Sequence, residues 1–163
     1  MKKTKTRILC ALLSLALCLT ALCLTACGGE IDSEGKCTVV LAEGGAIAEY
    51  EVPLSSLEGG KGAIAALDYL VAEGKITYLS TDSGYGVYLT EVVATDGSVS
   101  VKEDGSKDKY VYIYTSVEAD YDVSEYAQSV NYKDGVLVSS GVGISEMSLP
   151  DGAVIYISTI IYG

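Results

Sequence analysis

The stretch KGAIAALDYLVAEG, residues 61–74, decides the fold class, because it is the one segment of the chain with a convincing helical pattern. Its apolar side chains recur at helical spacing and would share one face: Ile64, Leu67, Leu70 and Val71, with Ala63 and Ala66 beside them. Gly74 stands where a left-handed C-terminal cap belongs. We therefore predict a helix from about Lys61 to Glu73.

Strand patterns surround this helix. Before it, Cys37–Ala42 and Ile47–Val52 are predicted to form a hairpin about Glu43-Gly44-Gly45. After it come a charged loop at Lys102–Lys109 and six predicted strands: Ile76–Ser80, Tyr85–Ala94, Tyr110–Val117, Ser129–Tyr132, Val136–Ser140 and Ala153–Tyr162. The last strand is apolar on both faces, which is typical of a central strand. This order predicts an α+β domain in which one helix covers a mixed sheet, the β-grasp arrangement.

The N-terminus carries the pattern of an export signal. Basic residues precede an apolar run from Ile8 to Leu24, and Leu24-Thr25-Ala26-Cys27 is a bacterial lipobox. We predict that residues 1–26 form a signal helix, which is removed once Cys27 is acylated. Two alternatives stay open, because Ile8–Ala26 is long enough to span a bilayer uncleaved and Ala26 also suits an ordinary secretory cleavage site.

The lipobox interpretation places the protein at the cell membrane, lipid-anchored on its extracytoplasmic side. Residues 27–36 contain Gly28, Gly29 and Gly35 and are predicted to be a lipidated, flexible tether. Residues 37–163 are predicted to be the single folded domain. The membrane, reached through the anchor, is the first predicted partner.

Composition limits the function classes. The four basic residues of the signal leave the remaining chain with a net charge of −15, which repels nucleic acid. Cys37 is the one cysteine outside the signal and the lipobox, and we predict that it is a buried small hydrophobe. Histidine is absent, so neither a Ser-His nor a Cys-His pair can form. We predict a protein that is not an enzyme and needs no cofactor.

An acidic run offers candidate ligands for a calcium ion. Glu118, Asp120, Asp122 and Glu125 alternate along the chain, as oxygen ligands for a hard cation often do. Val123 occupies the place of the glycine that an EF-hand loop requires. The alternative interpretation is a solvated acidic loop, and we predict no metal site.

Tyrosine supplies every aromatic ring, since the chain has thirteen tyrosines and neither phenylalanine nor tryptophan. Tyr110, Tyr112 and Tyr114 alternate along one predicted strand and so share one face. Together with Tyr85 and Tyr88 they could form a face that binds a ligand or partner, because a tyrosine ring is apolar while its hydroxyl can hydrogen-bond to water or to a ligand. The alternative is that these rings fill the core.

Several segments resemble the bacterial domains akin to the C-terminal domain of transcobalamin. The resemblance covers about Cys37 to Tyr162: the first hairpin, the Ala/Leu-rich helix, SGYGVYL at residues 83–89, the tyrosine strand, and SSGVG at 139–143 before LPDG at 149–152. It implies a β-grasp-type domain and a corrinoid or another bulky small molecule as the ligand class.

The sequence therefore predicts a membrane-anchored lipoprotein whose domain is a non-catalytic ligand-binding module. The alternative is a cell-surface adhesion or protein-interaction module that binds an envelope protein or a glycan through the tyrosine-rich strand.

Overall fold

The computed structural model describes residues 29–57, 59–82 and 86–162. The predicted signal helix, the lipobox with Cys27, and Tyr85 lie outside these residues. The described residues form nine strands and one α-helix, in the order β1 (Lys36–Glu43), β2 (Ala46–Pro53), α1 (Ile64–Ala72), β3 (Ile76–Asp82), β4 (Val87–Ala94), β5 (Ser100–Lys102), β6 (Lys109–Thr115), β7 (Ser129–Tyr132), β8 (Gly135–Ser139) and β9 (Val154–Ile161). The predicted α+β class is confirmed.

Six of the strands form a mixed sheet in the order β2-β1-β9-β6-β8-β7. β1 and β9 are parallel neighbours, and the other neighbouring pairs of this sheet are antiparallel. Val39 and Leu41 of β1 are buried on one face of the sheet, and Val40 is buried on the other. Strands covered on both faces are apolar at successive positions, which explains the sequences of β1 and β9. The prediction that the last strand is central is confirmed.

A second antiparallel sheet, in the order β3-β4-β5, was not predicted. It packs with α1 on one face of the larger sheet, and all three contribute to a common core. β5 lies against β1 and β9, whereas α1 lies against β2 and β3. The prediction that one helix covers the mixed sheet is therefore corrected, because α1 covers part of that face and the smaller sheet covers the rest.

The helix α1 begins three residues later than predicted, at Ile64, because Gly62 before it has a φ of +60°. Its C-terminus is a Schellman motif about Gly74, with the N–H of Lys75 donating to Leu70 and the N–H of Gly74 to Val71, both at 2.9 Å. Val71 is 41% exposed, so its predicted place on the buried face is wrong. No helix of residues 29–57, 59–82 and 86–162 is long and apolar enough to cross a bilayer.

Residues 29–35 pack against the domain, so the prediction of a flexible tether is wrong for this part of the chain. Ile31 forms a parallel β-bridge with Leu149. The N–H of Asp32 donates to the carbonyl of Leu149 at 3.0 Å, and the N–H of Leu149 donates to Glu30 at 2.8 Å. A Cβ on Gly29 would lie 1.9 Å from the carbonyl oxygen of Met147. Glycine is thus required where the chain first meets the domain.

The β7–β8 hairpin covers the face of the larger sheet that α1 and the smaller sheet leave open. β6 and β8 pair only at Tyr114–Ser139 and Thr115–Val138. Beyond these pairs the hairpin packs Tyr132 and Leu137 on the sheet, where they form a second buried cluster with four others: Val40, Ala42, Tyr114 and Tyr156. Both faces of the central strands are therefore buried.

Candidate binding site

The tyrosines of β6 alternate on one face, as predicted, but they do not form an open surface. Tyr110 is exposed, Tyr112 is half-buried, and Tyr114 is only 7% exposed. The ring of Tyr114 packs edge-to-face on Tyr112 at 5.6 Å and on Tyr156 at 6.0 Å, measured between ring centroids. Tyr114 is a core residue beside the β7–β8 hairpin, and its predicted place in a ligand face is corrected.

A cleft of about 170 Å³ lies between β4, β6 and the loop that follows β8. It brings together Tyr88 and Tyr112, two predicted site residues from strands that are distant in sequence. The side chains around it are mostly aliphatic, and the described residues that line it are Val87, Tyr88, Leu89, Val111, Tyr112, Ile113, Ser140, Val142, Gly143 and Ile144. An apolar wall with a few hydroxyl groups is the usual composition of a small binding site.

The cleft exists because the chain leaves the sheet after Ser140. The N–H of Ser140 still donates to the carbonyl of Ile113 at 2.9 Å and so continues the β6–β8 ladder. The N–H of Gly141 then turns to the carbonyl of Asp120 at 2.9 Å, and the hydroxyl of Ser140 holds Val142 through contacts with its N–H and C=O. A Cβ on Gly141 would lie 2.9 Å from the carbonyl of Tyr121, so glycine permits this close passage.

Carboxylates lie on both sides of the cleft. Burial raises the pKa of Tyr112 to about 12, and the nearby Tyr162 and Asp122 act in the same direction. Burial also raises the pKa of Tyr88, and the next cause is the charge of Glu103. Both hydroxyls are therefore protonated at physiological pH, and they lie within hydrogen-bonding reach of Tyr162 and Glu103, respectively. Such a rim suits an apolar ligand that carries hydrogen-bonding groups or positive charge.

Tyr110 and Tyr162 continue the tyrosine rim along the surface. Their ring centroids are 6.0 Å apart, and they are 37% and 50% exposed. Lys109 precedes Tyr110, but its ammonium is paired with the carboxylate of Glu43 at 2.7 Å, which also accepts from Thr159. The lysine charge is compensated there and does not offset the carboxylates of the rim.

The acidic run does not converge on a cation site. Asp120 is buried and its carboxylate accepts from the N–H of Ser148 at 2.7 Å. Asp122 caps the N–H of Ser124 at 2.8 Å, while Glu118 and Glu125 are exposed. Within residues 29–57, 59–82 and 86–162, no three His, Cys, Asp or Glu side chains form a group that could hold a metal ion. Asp120 and Asp122 order the loop backbone instead.

Cys37 is buried at the start of β1, as predicted. Burial raises the pKa of its thiol to about 11, so the thiolate that a nucleophile would need is scarce at neutral pH. A larger cavity, of about 430 Å³, lies beside residues 31–33, 54–55, 57 and 59–60. Among the described residues that line it there is no tyrosine, and the one charged side chain, that of Asp32, accepts from the N–H of Asp151 at 2.9 Å.

Sequence reasoning missed the aliphatic half of the site. Val87 follows a glycine directly, and Val142 stands between two glycines, so both have the sequence context of turn residues. A usable signal was the SSGVG stretch at residues 139–143, since two glycines directly after a predicted strand indicate a backbone that leaves its sheet. Tyr162 was also missed, because it falls at the end of the last strand.

No family model matches the chain, and no curated protein matches it. Among solved structures, the chain is similar to a protein from Ruminococcus gnavus ATCC 29149, for which metal binding has been proposed. It is 15% identical, the alignment covers 80% of this chain and 100% of that chain, and the TM-score is 0.46. A similarity this distant carries no argument about ligand or activity.

Proposed function

We propose that this chain is a non-catalytic binding module that recognises its ligand at the cleft between β4, β6 and residues 140–144. The observation that supports this function is the arrangement of Tyr88 and Tyr112 about an aliphatic cavity of about 170 Å³. Neutral tyrosines with an apolar floor bind by packing and by hydrogen bonds. They offer no nucleophile and no general base that works near neutral pH.

The same proposal places the module at the extracytoplasmic side of the cell membrane, anchored through a lipid on Cys27. The basic start, the apolar run and the lipobox support this location. Residues 29–35 are held on the domain by backbone hydrogen bonds, so only Gly28 separates the lipidated residue from the docked chain. The domain would then lie directly at the membrane surface and not at the end of a stalk.

We further propose that the fold is a β-grasp variant of the transcobalamin-like C-terminal type. In support, a β1–β2 hairpin is followed by one helix, and β1 is the parallel neighbour of the last strand, β9. The smaller sheet, β3-β4-β5, would be an insertion between the helix and the remaining strands of the larger sheet.

The size of the cleft limits the ligand class. Pockets that enclose a drug-sized ligand measure about 300–1,000 Å³, and this cleft measures about 170 Å³. A corrinoid could therefore contact the tyrosine rim with one edge but could not be enclosed. This observation favours the second candidate function, a protein-interaction module at the cell surface, since a partner needs to insert only one side chain.

Site-specific photo-crosslinking in the native envelope tests the proposal. We expect a photoreactive residue in place of Tyr88 to crosslink a specific partner, and the same residue in place of Leu79 to give none. Leu79 is a matched control because it is 60% exposed and lies on β3, away from the cleft lining. Equal crosslinking at both positions would contradict a binding role for the cleft.

Two further measurements complete the test. Mass spectrometry of the mature N-terminus is expected to find an acylated Cys27, and an unmodified peptide that starts at Met1 would contradict the anchor. Titration with cyanocobalamin and with glycans, followed by thermal shift, separates small-molecule binding from partner binding, since a partner-specific module gives no shift with either.

A further inference from the structure

The edge of β6 that faces the cleft has a gap in its hydrogen-bond ladder. Along an antiparallel strand, successive residues direct their N–H and C=O groups to opposite neighbours. The N–H of Tyr162 donates to Asp108 on the β9 side at 3.0 Å, so Tyr110 and Tyr112 also face β9. Lys109, Val111 and Ile113 consequently face away from β9.

Two of these three residues have partners. Lys109 exchanges backbone hydrogen bonds with Asp104, at 2.8 and 3.2 Å, and the carbonyl of Ile113 accepts from Ser140 at 2.9 Å. In the register of the β6–β8 ladder the residue opposite Val111 would be Val142. The N–H of Val142 instead bonds to the hydroxyl of Ser140. Among the described residues, therefore, no backbone group fills the place beside Val111.

The gap lies beside the cleft, since Val111 and Val142 both belong to its lining. One N–H donor and one C=O acceptor thus lie beside a mostly aliphatic cleft of about 170 Å³, which is below the size that encloses a drug-sized ligand. An unpaired pair of this kind at a strand edge recognises the backbone of an extended peptide, while the adjacent pocket selects the side chain. The bonds between Lys109 and Asp104 and between Ser140 and the carbonyl of Ile113 bound the gap on its two sides.

The rim adds a preference for charge. Glu103 lies beside β4, since its N–H donates to the carbonyl of Thr90, two residues from Tyr88, at 3.0 Å. Asp122 lies beside the loop that follows β8, since its N–H donates to the carbonyl of Ser139 at 2.8 Å. Lys109, the basic residue of β6, is paired with Glu43. A ligand with a positive charge next to its aliphatic side chain therefore complements the rim, whereas a negative charge is repelled.

We propose that the cleft binds one residue of an extended peptide. The amide groups of this residue pair with the N–H and C=O of Val111, its aliphatic side chain fills the cavity, and a neighbouring basic residue lies against Glu103. This inference rests on the proposed function, because it names the partner of the same cleft.

Nuclear magnetic resonance of the purified, ¹⁵N-labelled protein tests the proposal with N-acetyl-leucyl-lysine methylamide as the probe. In the free protein we expect the amide of Val111 to exchange with solvent at least tenfold faster than the amides of Tyr110 and Tyr112. The probe is expected to shift the Val111 resonance and to slow its exchange. N-acetyl-glycyl-lysine methylamide, which lacks the side chain, is expected to bind at least tenfold more weakly.

Charge is tested separately. N-acetyl-leucyl-glutamate methylamide is expected to bind several-fold more weakly than the lysine probe. The Glu103→Gln variant is expected to weaken binding of the lysine probe, and Glu34→Gln, an equal charge change at an exposed position outside the cleft lining, to leave it unchanged.

The outcomes separate this inference from the proposed function. The peptide proposal is overturned if the amide of Val111 exchanges as slowly as that of Tyr112. It is also overturned if the glycine probe binds as well as the leucine probe. If the peptides fail while another ligand shifts the resonances of Tyr88 and Tyr112, the binding cleft stands and its peptide specificity is wrong. If neither the peptides, cyanocobalamin nor glycans perturb the cleft and Tyr88 crosslinks no partner, both proposals fail.

Discussion

The ammonium of Lys133, in the turn between β7 and β8, lies 2.8 Å from the carboxylate of Glu49 on β2, although β2 and β7 are the two outer strands of the six-stranded sheet. In a flat sheet the two outer strands would be separated by roughly 24 Å, five steps of about 4.8 Å. The β7–β8 hairpin must therefore fold back across the sheet. Lys133 also lies 4.8 Å from the ring centroid of Tyr132, so one lysine holds the tip of the hairpin over the tyrosine cluster.

Replacing Lys133 with methionine is expected to raise the pKa of Glu49. The hydrogen bond from Lys133 is the main reason that the pKa of this carboxyl lies below its ordinary value. Because the pKa of Glu49 is lower in the folded state, the ion pair stabilises the hairpin fully at a pH above 4.5, the pKa in the unfolded chain. This stabilisation is lost as the pH falls through the lower pKa of the folded state. A ¹³C titration of the Glu49 carboxyl measures the shift, with Lys107→Met as a control. An unchanged titration of Glu49 would show that the ion pair does not form in solution.

Tyr132→Phe is expected to leave the free energy of unfolding unchanged or to raise it by up to about 1 kcal/mol. The hydroxyl of Tyr132 is buried and makes no direct hydrogen bond of ordinary geometry among the described residues, although it lies close enough to Glu49 and Lys133 to shift the pKa of both. Its removal therefore ends a desolvation cost. The ring, with its contact to Tyr156 at 5.8 Å, remains. Urea denaturation measures the difference. A loss above about 1 kcal/mol would indicate that the hydroxyl is hydrogen-bonded in solution.

Tyr114→Ala and Tyr88→Ala are expected to differ strongly in stability. Tyr114 is 7% exposed and its truncation leaves a cavity in the second core, which costs about 3–5 kcal/mol. Tyr88 is 37% exposed, and its truncation is expected to cost about 1 kcal/mol or less while abolishing binding at the cleft. Tyr126→Ala, at 72% exposure, is the control for a surface tyrosine. Similar losses for Tyr114→Ala and Tyr88→Ala would contradict the division into core and rim.

The contrast between the buried Tyr114 and the more exposed Tyr88 shows what the sequence pattern alone does not predict. Alternation along β6 predicts correctly that Tyr110, Tyr112 and Tyr114 share a face, because the side-chain period of a strand is a local property. Whether that face is covered depends on the β7–β8 hairpin, whose return across the sheet is fixed by contacts such as Lys133–Glu49. The three alternating tyrosines therefore include a core residue, Tyr114, and a surface residue, Tyr110.

In other elements, too, local features were predictable and long-range contacts were not. The cap of α1 at Gly74 and the β1–β2 turn at Gly44 and Gly45 were predictable, since each glycine has a positive φ that its own turn requires. The docking of residues 29–35 was not predictable, because it depends on pairing with the distant Leu149. The cleft likewise requires Tyr88 and Tyr112 to meet through tertiary structure.

Gly29→Ala is expected to destabilise the protein by about 1–3 kcal/mol, because its Cβ would collide with the carbonyl of Met147 at 1.9 Å. The N-terminal segment would be released first, so limited proteolysis should cut the variant near residues 29–35. Gly105→Ala is a matched control, since a Cβ there meets nothing within 4 Å. A variant as protease-resistant as the parent protein would contradict docking of this segment.

Cys37 gives a prediction on reactivity and on pH. Burial raises the pKa of its thiol from 9.0 to about 11, so we expect no reaction with a thiol reagent at pH 8 until the protein is unfolded in urea. A pKa that is higher in the folded state favours folding fully below pH 9, and this contribution is lost as the pH rises towards 11. Buried tyrosines titrate in the same range, so the comparison is with Cys37→Ala, whose stability should fall less steeply between pH 9 and 11. Equal slopes for the two proteins, or rapid labelling of the folded parent at pH 8, would show that the thiol is accessible.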